Sequence, residues 1–208
     1  MLIGLNFITR LVKEAYKGVG LRIANTGEGY MLSGRAWAMF GYHGDLPKEL
    51  LGEIMKLIGE FPEDREQYLY SRDNGGQSEL YLSEGWQDVY RRATEAQADN
   101  NDAWETDILI TDDYNKPYRV FRTKAFSEEE ADDDAIDGSR GVYAVPAGIS
   151  GAISAEYCSK NEEFYGCFLG NGGWLYWISD DMAFGYNTDF TNDTVRERAG
   201  DLMQKGAV

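Results

Sequence analysis

The residue types that carry most enzyme chemistry are sparse in this chain. His43 is its one histidine, set in Gly41-Tyr42-His43-Gly44-Asp45. A single imidazole can serve as a general base or a metal ligand. A zinc centre of the usual kind needs a second histidine or a cysteine cluster beside it, and the sequence offers neither. His43 reads more simply as a polar residue in a strand-to-helix loop. The two cysteines, Cys158 and Cys167, have no base in view to generate a thiolate and read as small apolar residues. Two cysteines are also too few for a disulfide framework, which points to a reducing compartment. Gly170-Asn171-Gly172-Gly173 is glycine-rich but lacks the lysine and the following helix of a phosphate loop. Gly27-Glu28-Gly29 fails as a nucleotide fingerprint for the same reason. The expectation is a protein that is not an enzyme, with no cofactor and no bound metal.

Carboxylates, by contrast, are abundant. Thirty-six Asp and Glu oppose 20 Lys and Arg, for a net charge of −16. The stretch 128–137 holds seven of them: Glu128, Glu129, Glu130, Asp132, Asp133, Asp134 and Asp137. Asp99, Asp102, Glu105, Asp107, Asp112 and Asp113 precede it, so 13 acids stand against four bases between Asp99 and Asp137. Three chemistries suit such a run. It can be a solvated loop, as charge runs usually are. It can hold a divalent cation, although the D-x-D-x-D-G spacing of a calcium loop is missing. Or it can present carboxylates to a basic groove built for nucleic acid. Carboxylates on alternate strand residues or successive helix turns approximate the pitch of backbone phosphates. Binding of that kind releases counterions from the partner and weakens with salt. The candidate contacts are Asp112, Asp113, the seven acids of 128–137, and Trp174 as an aromatic anchor. A chain this acidic repels nucleic acid and anionic membrane. The expected partner is therefore a basic protein such as a nucleic-acid-binding nuclease. Two other readings stay open: acidity that serves solubility alone, and a Mg²⁺-dependent enzyme using Asp112, Asp113, Asp180 and Asp181.

The elements that must position these residues are legible from periodicity. The densest apolar stretch is Glu163–Tyr186, in which aromatic runs flank Asn171-Gly172, a dipeptide suited to a type I′ turn. Its three strands are expected at the centre of a sheet. Alternation places Trp174 and Tyr176 on one face, and Leu175 and Trp177 on the other. Trp177 is expected to be buried, and Trp174, beside the turn, partly exposed. Leu5, Ile8, Val12, Ala15 and Tyr16 recur at helical spacing, with Gly18 to close the helix. That helix, and not a signal peptide, accounts for the apolar Met1–Phe7. Strands follow at Leu21–Ile23, Tyr30–Leu32 and Ala36–Tyr42. Asp45 is a plausible cap for a helix whose stripe is Leu50, Leu51, Ile54, Leu57 and Ile58. Asp73-Asn74-Gly75-Gly76 turns a hairpin between Gln67–Ser71 and Gln77–Leu82. Ser83 can cap a helix carrying Trp86, Val89, Tyr90 and Ala93. Thr106–Thr111 and Tyr118–Thr123 pair as strands, and Gly141–Val145 is a third. Pro146 opens a small-residue helix to about Cys158, and Asn192 or Asp193 caps the last helix. Hairpins imply antiparallel pairing, so the fold expected is α+β, with four or five helices packed on antiparallel sheet. The 208 residues fit one compact domain, with Gln97–Asp102 as the break if it divides into lobes 1–98 and 104–208.

The net charge, the acidic block 128–137 and the stretch Gly29–Ile58 together resemble the small acidic proteins that phages and bacterial mobile elements carry against host defence, anti-CRISPR proteins among them. The resemblance covers about a quarter of the chain and transfers no named residue. It implies inhibition by binding, at the site where a defence nuclease holds guide or target nucleic acid, in the cytoplasm of the bacterial host. A mobile-element interaction or structural protein without such mimicry is the alternative.

Overall fold

Two antiparallel sheets and five helices make up the described part of the chain. In this computed structural model the described residues are 2–80, 88–99, 101–123, 141–153 and 164–204. The class is α+β. Helix α1 spans Leu5–Lys17 and buries Ile8, Val12 and Ala15, one stripe at i, i+4 and i+7. A meander follows: β1 (Leu21–Asn25), β2 (Gly29–Ser33) and β3 (Trp37–Tyr42). Helix α2 (Lys48–Ile58) buries Leu50 and Ile54 and stops at Gly59, whose φ of 83° is a conformation that glycine adopts at no steric cost. Its cap position is Pro47, with no side-chain cap, so the expected cap by Asp45 is corrected. Proline's fixed φ starts the helix where its missing N–H costs nothing.

The expected hairpin forms from β4 (Gln67–Ser71) and β5 (Gly75–Glu79), but its turn is the shorter Arg72–Asn74, and Gly75 and Gly76 pair within β5. Helix α3 (Val89–Ala98) opens at Asp88, whose carboxylate accepts the Arg91 N–H at 3.0 Å. Ser83 and Trp86 lie outside the described residues. The second sheet is formed by β6 (Ala103–Thr111), β7 (Pro117–Thr123) and β8 (Val142–Pro146). Helix α4 is a single turn, Ala147–Ser150, and the chain has left it by Ile153, which bridges to Ile3. The continuous helix expected from Pro146 to about Cys158 is corrected over this stretch, and residues 154–158 lie outside the described residues. The aromatic meander is β9 (Phe164–Gly170), β10 (Trp174–Ser179) and β11 (Met182–Asn187). Helix α5 (Asp193–Gln204) begins after Asn192, whose side chain accepts the Thr194 N–H at 2.9 Å.

The eight-stranded sheet runs β5-β4-β1-β2-β3-β11-β10-β9. It takes five strands from before residue 98 and joins them to the aromatic meander through β3 and β11, with Phe184 opposite Met39. The meander therefore forms one end of the sheet and not its centre, because β11, the last of its strands, makes the join. Its outermost strand, β9, is partly covered: Leu169 donates to the Asn101 carbonyl at 2.7 Å, and Phe168 bridges Asp102. The turn between β9 and β10 also differs from the expectation. Gly170 pairs with Trp174 across a three-residue 3-10 turn, and φ is positive at Gly172 and Gly173, not at Asn171. The longer loop lets the Gly173 carbonyl accept the Thr188 hydroxyl at 2.7 Å.

Alternation along the strands divides the interior. On one face, Leu21, Ile23, Leu32, Trp37, Met39, Leu175, Trp177 and Phe184 pack with α1, α2 and the Phe121 and Val145 side chains of the small sheet. On the other, Ala24, Met31, Phe40, Trp174, Tyr176 and Ile178 pack under α3. The small sheet carries a third cluster, in which Val120, Val142 and Ala144 meet Val195 and Ala199 of α5. The layers are thus α3, large sheet, then α1, α2 and the small sheet, then α5. Edge-on contact of Phe121 with Trp177, at 5.8 Å between centroids, joins the two sheets.

Candidate functional site

The structure scatters the sequence-derived candidates. Glu128, Glu129, Glu130, Asp132, Asp133, Asp134 and Asp137 lie outside the described residues. Asp112 and Asp113 sit at the β6–β7 turn, and each has a structural task. Asp112 is only 5% exposed. One of its carboxylate oxygens accepts the Tyr114 and Lys116 N–H groups at 2.9 and 2.8 Å, closing a turn in which Asn115 takes a φ of 58°. It is a turn fastener and displays no carboxylate to a partner. Asp113 is exposed, but it pairs with Arg198 at 3.0 Å and accepts the Thr194 hydroxyl at 3.2 Å, tying the turn to α5.

Trp174 is 9% exposed, stacked on Tyr176 with centroids 5.9 Å apart and planes 8° from parallel. All six residues of β10 are buried, since α3 covers one face and the first core cluster the other. The expectation of a partly exposed Trp174 offered to a partner is corrected; the single-sided strand it assumed does not exist.

The remaining candidates are equally occupied. Asp181 accepts the Ser179 hydroxyl at 2.5 Å in the β10–β11 turn. Asp112 and Asp113 lie at the other turn, and among the described residues no group of three or more metal-binding side chains stands together. His43 is an exposed loop residue with its ring 4.6 Å from that of Tyr30. Cys167 is free, and burial, with the nearby Glu105 charge, pushes its thiol well above the ordinary value, which works against a thiolate nucleophile.

The surface left for recognition is the outer strand of the small sheet. β6 is nine residues long and, among the described residues, pairs along its length with β7 alone, while Asn101 and Asp102 just before it meet β9. An unpaired edge presents backbone donors and acceptors to any extended partner. The register with β7 shifts between Glu105 and Leu109, a bulge in the strand. Trp104 (45%), Leu109 (53%) and, at the adjoining turn, Tyr114 (79%) are large hydrophobic side chains with exposed surface. Asp107 on the same strand is exposed as well. Glu105 is half committed, accepting the Ser150 hydroxyl at 2.6 Å and lying 3.5 Å from Arg119. The sequence reading missed Trp104, Leu109 and Tyr114. For Leu109 the signal was the unbroken run Ile108-Leu109-Ile110, which a strand cannot bury on one face.

A cleft of about 360 Å³ lies between α3 and the β9–β10 turn, lined by Arg91, Arg92, Glu95 and Tyr176 among others. Part of its charge is matched internally. Arg91 pairs with Asp88 and Glu95. Burial raises the Tyr176 hydroxyl above its ordinary value, and a hydrogen bond with Arg92 opposes that shift.

No known family matches the sequence, and no curated protein matches it. Among solved structures, the chain shows a weak likeness to the crystal structure of the beta subunit from DNA polymerase of Streptococcus pyogenes. The identity is 10% and the TM-score 0.33, over 93% of this chain and 66% of that one. No helix among the described residues is long and apolar enough to cross a membrane.

Proposed function

We propose that this chain acts by binding, as an acidic inhibitor that occupies a basic groove on a nucleic-acid-handling protein such as a defence nuclease. It is not an enzyme in this reading, and it works in the cytoplasm of a bacterial host. The observation that supports it is the pairing of a net charge of −16 with a bulged strand, β6, on which Trp104, Asp107 and Leu109 have exposed surface, with Tyr114 exposed in the turn that follows. Carboxylates steer the encounter and set its salt dependence. Aromatic and aliphatic side chains supply the contact area that holds a complex once formed. In sequence, the acidic run 128–137 lies between β7 and β8 of the small sheet.

The test mixes the protein with a panel of basic nucleases and follows complex formation by calorimetry from about 50 to 200 mM salt. Several matched charges cost at least tenfold in affinity over that range. The double variant Leu109→Ser, Tyr114→Ser weakens the complex further at fixed salt. No complex with any member, or one whose affinity ignores salt, refutes the proposal.

A further inference from the structure

We infer that the groove between the α2–β4 loop and the β4–β5 hairpin is a receptor for an arginine side chain on an extended segment of a basic protein. The groove has a volume of about 400 Å³ and is lined by Ile58, Phe61, Tyr68, Tyr70 and Gly76, with Glu60, Glu63 and Glu66 around it. Its walls are fixed before any ligand arrives. Tyr68 and Tyr70 alternate along β4 and lie on one face, their rings 5.7 Å apart and 26° from parallel. The Tyr70 hydroxyl donates to the Glu60 carbonyl at 3.2 Å. Its ring rests over Gly76, where a Cβ would stand 2.8 Å from a ring carbon. Phe61 is held against Tyr30 with centroids 4.7 Å apart. Glu66 accepts the Glu63 N–H at 3.0 Å through one oxygen.

An aromatic wall and a carboxylate rim select one kind of occupant. A planar guanidinium stacks on tyrosine faces while its N–H groups reach carboxylates, a combination that neither an anion nor a neutral apolar ligand can satisfy. None of the ion pairs among the described residues involves Glu60, Glu63 or Glu66. Burial first, then the neighbouring Tyr68 hydroxyl and the charges of Glu60 and Glu66, hold the Tyr70 hydroxyl protonated beyond its ordinary range. The groove lies on the large sheet, remote in sequence from β6, so the inference does not depend on the β6 reading.

The test titrates the ¹⁵N-labelled full chain with a short peptide carrying two arginines and, separately, with its citrulline counterpart, which keeps shape and loses charge. The arginine peptide is expected to shift the amide signals of Tyr68–Ser71 and Gly75–Gln77, and the citrulline peptide to leave them in place. The double variant Glu60→Gln, Glu63→Gln, both exposed, is expected to weaken the arginine peptide by roughly three- to tenfold. Tyr68→Leu is expected to weaken it by roughly two- to fivefold. Equal response to citrulline, no response in these signals, or indifference to both variants overturns the inference. Shifts confined to β6 do so as well, while leaving the edge-strand proposal standing. Retention of the remaining spectrum shows that a variant has kept its fold.

Discussion

Trp174 and Trp177 test whether β10 is buried on both faces. Trp177 is 4% exposed, edge-on to Phe121 at 5.8 Å and 85°, and 6.0 Å from Phe184. Trp174 is 9% exposed and makes one parallel stack, with Tyr176. Truncating a buried tryptophan to alanine costs about 3–5 kcal/mol. Each aromatic pair adds about 0.5–1.5 kcal/mol beyond the area it buries. Trp177→Ala loses two pairs, one of which bridges the sheets, so it belongs at the upper end, near 5 kcal/mol by the same scale. Trp174→Ala loses one pair at the rim of its cluster and belongs near 3 kcal/mol. In a chain of this size 1 kcal/mol moves the midpoint by about 2–4 °C, so the losses read as roughly 10–20 °C and 6–12 °C. Thermal melts followed by circular dichroism, with urea titrations for the free energies, give both numbers. A Trp174→Ala loss below about 1 kcal/mol would place that side chain in solvent and refute the two-sided burial. A loss larger than that of Trp177→Ala would refute the assignment of Trp177 as the link between sheets.

Asp112→Ala leaves two backbone N–H groups in the β6–β7 turn without their acceptor and is expected to cost about 1–3 kcal/mol in urea titration. Asp112→Asn keeps an acceptor oxygen and should recover most of that loss; an Asn variant as unstable as Ala would show that charge, not the turn geometry, is what matters. Glu53 lies between Lys13 and Lys56, at 2.6 and 2.5 Å, and their hydrogen bonds and charges lower its carboxyl from 4.5 to about 2. Because the folded value lies below the unfolded one, the stability this triad contributes is present above pH 4.5 and lost as pH falls towards 2. The midpoint difference between the parent and Glu53→Gln should therefore be constant near neutrality and close below pH 4.5. A gap that persists to pH 2 would contradict the assignment.

Most of the elements are local facts, and the sequence carries them. The stripe in α2, the glycines beside the β4–β5 turn and the alternation in β10 specify helix, hairpin and faces from neighbours a few residues away. Net charge is likewise a property of composition alone, and it directs thought to a basic partner before any fold is known. Which face of a strand meets water is not local. Trp174 looked like a rim residue because a turn precedes it in the sequence, and α3, some 80 positions earlier, is what buries it. The placing of the aromatic meander at one end of the sheet followed from one long-range pairing, β3 with β11. Asp112 and Asp113 read as displayed charge, yet a carboxylate in a tight turn is drawn to the nearest unsatisfied N–H or guanidinium. The groove of Phe61, Tyr68 and Tyr70 and the exposed edge of β6 are visible only once the sheets are assembled. Concavity and the lack of a pairing strand arise between segments distant in sequence, and no single segment encodes them.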